Sequence, residues 1–202
     1  MNSELTRRSL LSRVRDAADT AAWSEFEARY RELITRYARA RGLQPADADD
    51  ICQAVMARLC RSLRSFEYDP GKGRFRTYLY RAVRNQVAEH FSRPTPRIHS
   101  VDDFGGLPAA DAGDAADAEW EREWENHHLR LAMITIRTTF DNESVQVFER
   151  LLAGDSVESL AESLDTSPGA VHKIKQRIRN RMHELIAGQV AEEDNPEAVL
   201  PA

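Results

Sequence analysis

The chain has 202 residues, with 28 Lys and Arg against 33 Asp and Glu, a net charge of -5 and 42% hydrophobic residues. This length suits one or two small domains, and the composition is that of a soluble globular protein rather than a disordered or fibrous one. A globally basic nucleic-acid binder is excluded, so any affinity for DNA must come from local patches rather than from the average field.

The opening stretch, Met1–Asp16, holds no apolar run long enough for a signal peptide or a membrane span, which predicts a cytoplasmic chain without membrane insertion. After a short amphipathic piece (Leu5, Leu10, Leu11, Val14), Asp19 and Thr20 open a longer helix that ends near Gly42. Its Trp23, Phe26, Tyr30, Leu33, Ile34 and Tyr37 share one face, and an aromatic stripe at helical spacing reads as core. Pro45 and Asp47 open the next helix, which buries Ile51, Cys52, Val55, Met56, Leu59, Leu63 and Phe66. Its opposite side sets small residues between polar ones, Asp50, Gln53, Ala54, Ala57 and Arg61. Such a flat face either meets solvent or receives another protein's helix. Cys52 and Cys60 stand eight apart on this helix, about 12 Å of rise, which is too far for a disulfide. The two thiols read as packing or surface residues, and no His/Cys cluster suggests a metal.

Tyr68–Arg74 is a loop by its Pro and two Gly residues, but it lacks the spacing and the preceding strand of a phosphate-binding loop. The helix that follows is expected to bury Phe75, Tyr78, Leu79, Ala82, Val83, Val87 and Phe91, and to turn Arg74, Thr77, Arg81, Arg84 and Asn85 outward. Cations that track a backbone beside aromatics such as Phe66 and Tyr68 suit single-stranded nucleic acid. Pro94 to Ala118 is rich in Pro, Gly, Ala and Asp and reads as an acidic linker. Beyond it, a helix with Trp120, Trp124, Leu131 and Ile134 on one stripe, and Leu129, Met133, Ile136 and Phe140 beside it, opens a second domain. A helix with Val145, Phe148, Leu151 and Leu152 follows and stops at Gly154. Strand-like alternation is absent throughout, so the expected fold class is all-α, two small helical domains joined by a flexible linker.

The stretch Ser156–Ile186 reads as two helices and a tight turn. Asp155 and Glu158 supply a start signal for the first, which carries Val157, Leu160, Ala161 and Leu164. Ser167 then stands where an N-cap belongs, with Pro168 at the first helical position. Val171, Ile174, Ile178, Met182 and Leu185 fall on one side of the second helix, while Gly169, His172, Lys173, Gln176, Arg177 and Asn180 project from the other, with Arg179 at its flank. Between Pro168 and His183 stand Lys173, Lys175, Arg177, Arg179 and Arg181 and no acid. A short helix, a turn and a basic helix make a helix-turn-helix, whose second helix enters the major groove. The competing reading is a solvated basic face on an ordinary helical hairpin. The chain closes on an acidic tail, Glu192–Glu197, with no predicted fold.

Three stretches in this order resemble a known family, the extracytoplasmic-function sigma factors of bacterial RNA polymerase. Asp47-Ala-Asp-Asp-Ile-Cys-Gln-Ala-Val55 resembles their region-two D-x-x-D-x-x-Q-x-V signature. Phe75-Arg-Thr-Tyr-Leu-Tyr-Arg-Ala-Val-Arg-Asn85 resembles their F-R-x-W-L-x-x-I-A-R-N stretch, and Ser167-Pro-Gly-Ala-Val171 the opening of the region-four recognition helix. The resemblance implies a region-two domain over 1–93, a linker over 94–118, a region-four domain over 119–190 and a tail over 191–202. It implies that Asp50, Gln53 and Arg61 dock on the clamp helices of the largest polymerase subunit, and that the polymerase flap and an anti-sigma protein are further partners. Tyr68, Lys72, Arg74, Arg81, Arg84 and Asn85 would bind the melted minus-ten strand, where an extruded base exchanges stacking for pocket contacts. Ser167, Gly169, His172, Lys173, Gln176, Arg177 and Asn180 would read the duplex minus-thirty-five element. No cofactor, metal or reaction of its own is implied. The chain departs from the family's usual pattern at Asp165, where a turn Gly is common, and at His172-Lys173-Ile-Lys175, so promoter sequence does not carry over.

Two other classes compete. A self-standing regulator would bind duplex DNA as a dimer and would need a ligand pocket or dimer seam in the first domain. An enzyme would need a site, and although His127 and His128 stand near Asp141, adjacent histidines diverge on a helix and no HExxH-type spacing occurs.

Overall fold

The computed structural model describes residues 9–63, 75–92 and 118–194. They form eight helices: α1 (Leu10–Arg13), α2 (Thr20–Ala40), α3 (Pro45–Ser62), α4 (Phe75–Ser92), α5 (Ala118–Thr139), α6 (Asn142–Leu152), α7 (Val157–Ser163) and α8 (Pro168–Asp194). No strand occurs among the described residues, so the class is all-α as expected. No described helix is long and apolar enough to cross a membrane. The loop Tyr68–Arg74, with Tyr68, Lys72 and Arg74, lies outside the described residues, as do residues 93–117 of the linker and its boundary.

The helices begin and end for local reasons. Asp19 caps α2 by accepting the Ala22 N–H at 2.8 Å, and Asp141 caps α6 by accepting the Ser144 N–H at 2.7 Å. Both α2 and α6 end on a glycine in the left-handed region, Gly42 at φ 96° and Gly154 at φ 107°. There the next two N–H groups fold back on the last turn, Gly42 to Arg39 O at 2.9 Å and Leu43 to Ala38 O at 3.2 Å in the first case.

The described residues divide into two compact units, one reaching to Glu125 and resuming at Ala191, the other running from Asn126 to Val190. In the first, α2, α3 and α4 pack on one another and α1 packs on α2. The expected aromatic face of α2 is the core: Phe26, Tyr30, Leu33, Ile34 and Tyr37 are fully buried. Tyr30 lies 5.4 Å from the Phe75 ring of α4, centroid to centroid. Cys52 is buried in the same core, and burial pushes its thiol up to about 11. That keeps it protonated and unreactive at neutral pH.

Two segments join this unit that the periodicity assigns elsewhere. Trp120 and Trp124, at the start of α5, are buried in the first unit's core, Trp120 edge-on to Tyr37 at 5.3 Å. Arg76 of α4 pairs with Glu121 and lies 5.5 Å over the Trp124 ring. The second compact unit begins at Asn126. Replacing a buried aromatic of this size by Ala typically costs about 3–5 kcal/mol. The acidic tail is not wholly without structure either, because α8 continues through Asp194. Glu192 accepts the Leu10 N–H and an Arg29 N–H, each at 3.0 Å. Glu193 is buried and accepts the Tyr30 hydroxyl at 2.7 Å.

The second unit has two adjoining cores. One holds Ala132, Ile136, Val145, Phe148, Ile178 and Met182, the other Val147, Leu160, Ala161 and Val171. Some residues expected inside are not. Leu129, Ile134 and Leu152 are exposed in this unit, and Phe91 in the first. In α5, Ile136 is buried as expected and Ala132 joins it inside, while Leu129 and Ile134 turn outward.

Burial, with the Glu193 carboxylate beside it, holds the Tyr30 phenol well above the ordinary tyrosine value. The native state then keeps a proton that the unfolded chain releases above pH ~10. This stabilisation is complete below that pH and is lost as pH rises past it. Tyr30→Phe should lower stability at pH 7 by about 1–3 kcal/mol and flatten the alkaline decline, as read by urea unfolding at a series of pH values. An unchanged alkaline limb would show that another group governs it.

Candidate nucleic-acid interface

The basic helix is placed by the turn before it. α7 is capped by Ser156, whose hydroxyl accepts the Ser159 N–H at 3.1 Å, so the start is one residue later than Asp155, which instead pairs with Arg150 at 2.7 Å. At its end the Asp165 N–H bonds Glu162 O at 3.3 Å and the Thr166 N–H bonds Ala161 O at 2.9 Å. This is the same closure as at the glycine stops of α2 and α6, yet the residue in the left-handed region is Asp165, at φ 49°. Asp tolerates that conformation better than most side chains do. Thr166 and Ser167 complete the turn, and the Ser167 hydroxyl caps α8 by accepting the Ala170 N–H at 3.2 Å.

Rotation of α8 is then set by what it buries. Val171, Ile178 and Met182 are inside and Ile174 is half-buried, so His172, Lys173, Gln176 and Asn180 face outward and are exposed. Gln176 donates to the Asn180 carboxamide oxygen at 2.8 Å, which aligns two amides one turn apart. Lys175 and Arg179 are exposed too. Ser167 is engaged as the cap, and Gly169 needs no special backbone angle: a methyl there would meet only the Ser167 hydroxyl, at 3.8 Å. Arg177 stands apart from the rest. Its Nη2 donates to Ser144 Oγ at 3.0 Å and lies 3.6 Å from Asp141 Oδ2, and its guanidinium sits 5.2 Å over the Phe140 ring. The Ser144 N–H and hydroxyl, and then the Arg177 charge, hold the Asp141 carboxyl below its usual range. Sequence reasoning missed this contact. The Asp141-x-x-Ser144 capping spacing was readable, but nothing in α8 points to its partner.

In the first unit, Asp50, Gln53 and Arg61 are exposed on one side of α3 with Ala54 and Ala57 between them, and none of the three makes a hydrogen bond or ion pair among the described residues. Their neighbour Asp49 pairs with Arg31 at 3.2 Å. On α4, Asn85 is exposed and Arg81 and Arg84 are half-buried. Arg84 lies 5.7 Å over the Tyr80 ring and lines a groove with Tyr37, Arg41, Val87 and Phe91. Tyr78, expected inside, is half-buried and donates its hydroxyl to Ser62. His127 and His128 are both buried, and His128 Nδ1 bonds Gln189 Oε1 at 2.9 Å.

Residues 28–95 match the sigma-70 region 2 family, a span that takes in both the exposed α3 face and the basic side of α4. A relative from Haemophilus influenzae, the ECF RNA polymerase sigma-E factor, is 24% identical over 198 residues, covering 92% of this chain and all of that protein. The chain is thus similar to extracytoplasmic-function sigma factors, and residues 28–95 match sigma-70 region 2. Two solved structures are similar to this chain over most of its length. They are CnrH in complex with the cytosolic domain of CnrY (22% identity, 89% of this chain and 96% of that one, TM-score 0.35) and Rhodobacter sphaeroides SigE in complex with the anti-sigma ChrR (19% identity, 87% and 93%, TM-score 0.36).

The left-handed turn at Asp165 gives a direct expectation. Asp165→Gly should leave thermal stability unchanged or slightly raised, whereas Asp165→Val should cost about 1–2 kcal/mol, because a β-branched residue resists positive φ. Circular dichroism melts of the two variants measure this. A neutral Asp165→Val would mean that the turn is not held in the left-handed region.

Proposed function

We propose that this chain is an alternative sigma factor that binds core RNA polymerase and directs promoter recognition and transcription initiation. The observation that carries this reading is the region 2 match over residues 28–95, which covers the exposed Asp50, Gln53 and Arg61 face and the Arg81, Arg84 and Asn85 side together. The α3 face carries small residues between polar ones and is exposed among the described residues, which suits docking of a polymerase helix. The α4 side joins cations to an exposed aromatic, Phe91, as single-strand binding requires. Tyr68, Lys72 and Arg74 extend that site in this proposal, as the resemblance implies.

His172, Lys173, Gln176 and Asn180 read the duplex minus-thirty-five element from the outward face of α8, with Arg177, Ser167 and Gly169 at the margin of that face. Lys175 and Arg179 add to the positive field. Base edges are read by amides and cations, while phosphates fix the register. The first domain spans 1–93 and the second 119–190 in sequence terms, although the start of α5 and the end of α8 pack with the first. The protein works in the cytoplasm, performs no reaction of its own and leaves RNA synthesis to the polymerase. An anti-sigma protein is the expected class of inhibitor. A free-standing dimeric regulator is the lesser reading, because it has no use for a region 2 domain.

The test is binding to sigma-free bacterial core polymerase in size-exclusion chromatography. The full chain should co-elute, and the double variant Asp50→Lys, Gln53→Lys should not, while its helix content and duplex binding persist. Co-elution undiminished in the double variant would remove α3 from the interface. No complex with an active core from the source organism would favour the regulator.

A further inference from the structure

Arg177 differs from the other cations of α8 in being held before any DNA arrives. Lys173, Lys175 and Arg179 make no hydrogen bond or ion pair among the described residues, and each must lose side-chain freedom when it meets a ligand. Arg177 has lost much of that freedom already. Its Nη2 is fixed by Ser144 Oγ at 3.0 Å and by Asp141 at 3.6 Å, and the Phe140 ring supports its plane at 5.2 Å. Its side chain nevertheless remains 58% exposed, and Nε and Nη1 have no hydrogen-bond partner among the described residues. A guanidinium anchored through Nη2 is oriented in advance, while the N–H groups of Nε and Nη1 stay open to an oxygen anion.

Position decides which anion. At 100° per residue, Asn180 and Lys173 mark the middle of the outward face of α8, opposite Val171, and Arg177 lies about 60° to one side, towards α6. A side chain at the margin of a groove-facing helix meets the sugar-phosphate backbone rather than base edges.

We propose that Phe140, Asp141 and Ser144 form a preset seat for Arg177, which makes Arg177 a backbone-phosphate clamp beside the recognition face rather than a base reader. This rests on the reading of α8 as a duplex-binding helix. Ser144 and Phe140 are positioning residues: they touch no DNA and act only through Arg177. Ser144 is the better probe because its removal changes no charge, and because α6 keeps its cap from Asp141.

The experiment is fluorescence anisotropy of the full chain with a 30-base-pair duplex selected by the chain from a random pool, over a salt series, for the wild type, Arg177→Ala, Ser144→Ala, Ser144→Thr, Arg177→Ala with Ser144→Ala, and Lys173→Ala. Arg177→Ala should weaken binding about tenfold on every duplex tested and reduce the salt slope by about 0.9, the signature of one lost phosphate contact. Ser144→Ala should weaken it about threefold with the slope unchanged, because the charge remains. Ser144→Thr should restore affinity to within about twofold, and Ser144→Ala should have no further effect once Arg177 is gone. Matching thermal melts confirm that each variant is folded; if Ser144→Ala melts early, Phe140→Leu replaces it. Additive effects of Ser144→Ala and Arg177→Ala would overturn the seat, as would tighter binding by Ser144→Ala, which would make the seat a restraint that competes with DNA. A loss for Arg177→Ala confined to one base-pair substitution would make Arg177 a base reader. If Lys173→Ala binds less tightly and the Arg177 and Ser144 variants do not, the proposal alone fails. If the wild type selects no duplex, or Lys173→Ala is neutral with all the rest, the duplex-binding reading fails with it.

Discussion

The direction in which α8 presents its side chains depends on a turn of three residues. Leu164, Asp165 and Thr166 close α7 by folding two N–H groups back on it, and Ser167 caps the next helix at once. Because no residue is spare, Val171 has only one place to go, and its burial with Ile178 and Met182 settles the rotation of the whole helix. The outward set of His172, Lys173, Gln176 and Asn180 is a consequence of that rotation. A one-residue slip would turn each of these side chains by about 100° and set Lys173 where Ile174 now packs.

Charge is distributed with the same economy. The chain as a whole is acidic, yet its acids near α8 are spent on defined tasks: Asp141 caps α6 and holds Arg177, Asp155 pairs with Arg150, and Glu184 pairs with Arg181. The first unit does likewise, with Glu121 on Arg76 and Asp49 on Arg31. Exposed pairs of this kind contribute little to stability. Their effect is to fix some cations in place, while Lys173, Lys175 and Arg179 make no ion pair among the described residues.

How much of this was legible follows from the range of each interaction. The start of α2 at Asp19, the stop at Gly42, the Ser167 cap and the inward stripe of α8 were readable because a helix cap or an apolar period is written within a few residues. The resemblance to sigma factors rested on motifs that are equally local, and the match over residues 28–95 agrees with it. The placement of Trp120 and Trp124 was not readable. Their spacing fits an amphipathic helix whichever unit supplies the other half of the core, and only the tertiary partners Tyr37 and Arg76 decide it. Leu129 and Ile134 mislead for a related reason: the small Ala132 is fully buried, and periodicity weighted by size cannot see an inward position filled by so small a residue. Glu192 and Glu193 read as tail because acidic residues at a chain end usually are, yet Tyr30 and Arg29 wait for them 163 positions away. The seat of Arg177 is of the same kind, 33 positions from Ser144.

The contact between Tyr30 and Glu193 also orders events on the ribosome. Helices α1 to α4 emerge early, but the phenol at their centre has its carboxylate partner only when residue 193 is out, about a hundred residues after α4. At ordinary elongation rates that is a delay of roughly 5–20 s. For that interval the first unit exists without the last of its buried polar pairs, an unfinished nascent domain that translation, rather than the domain itself, completes.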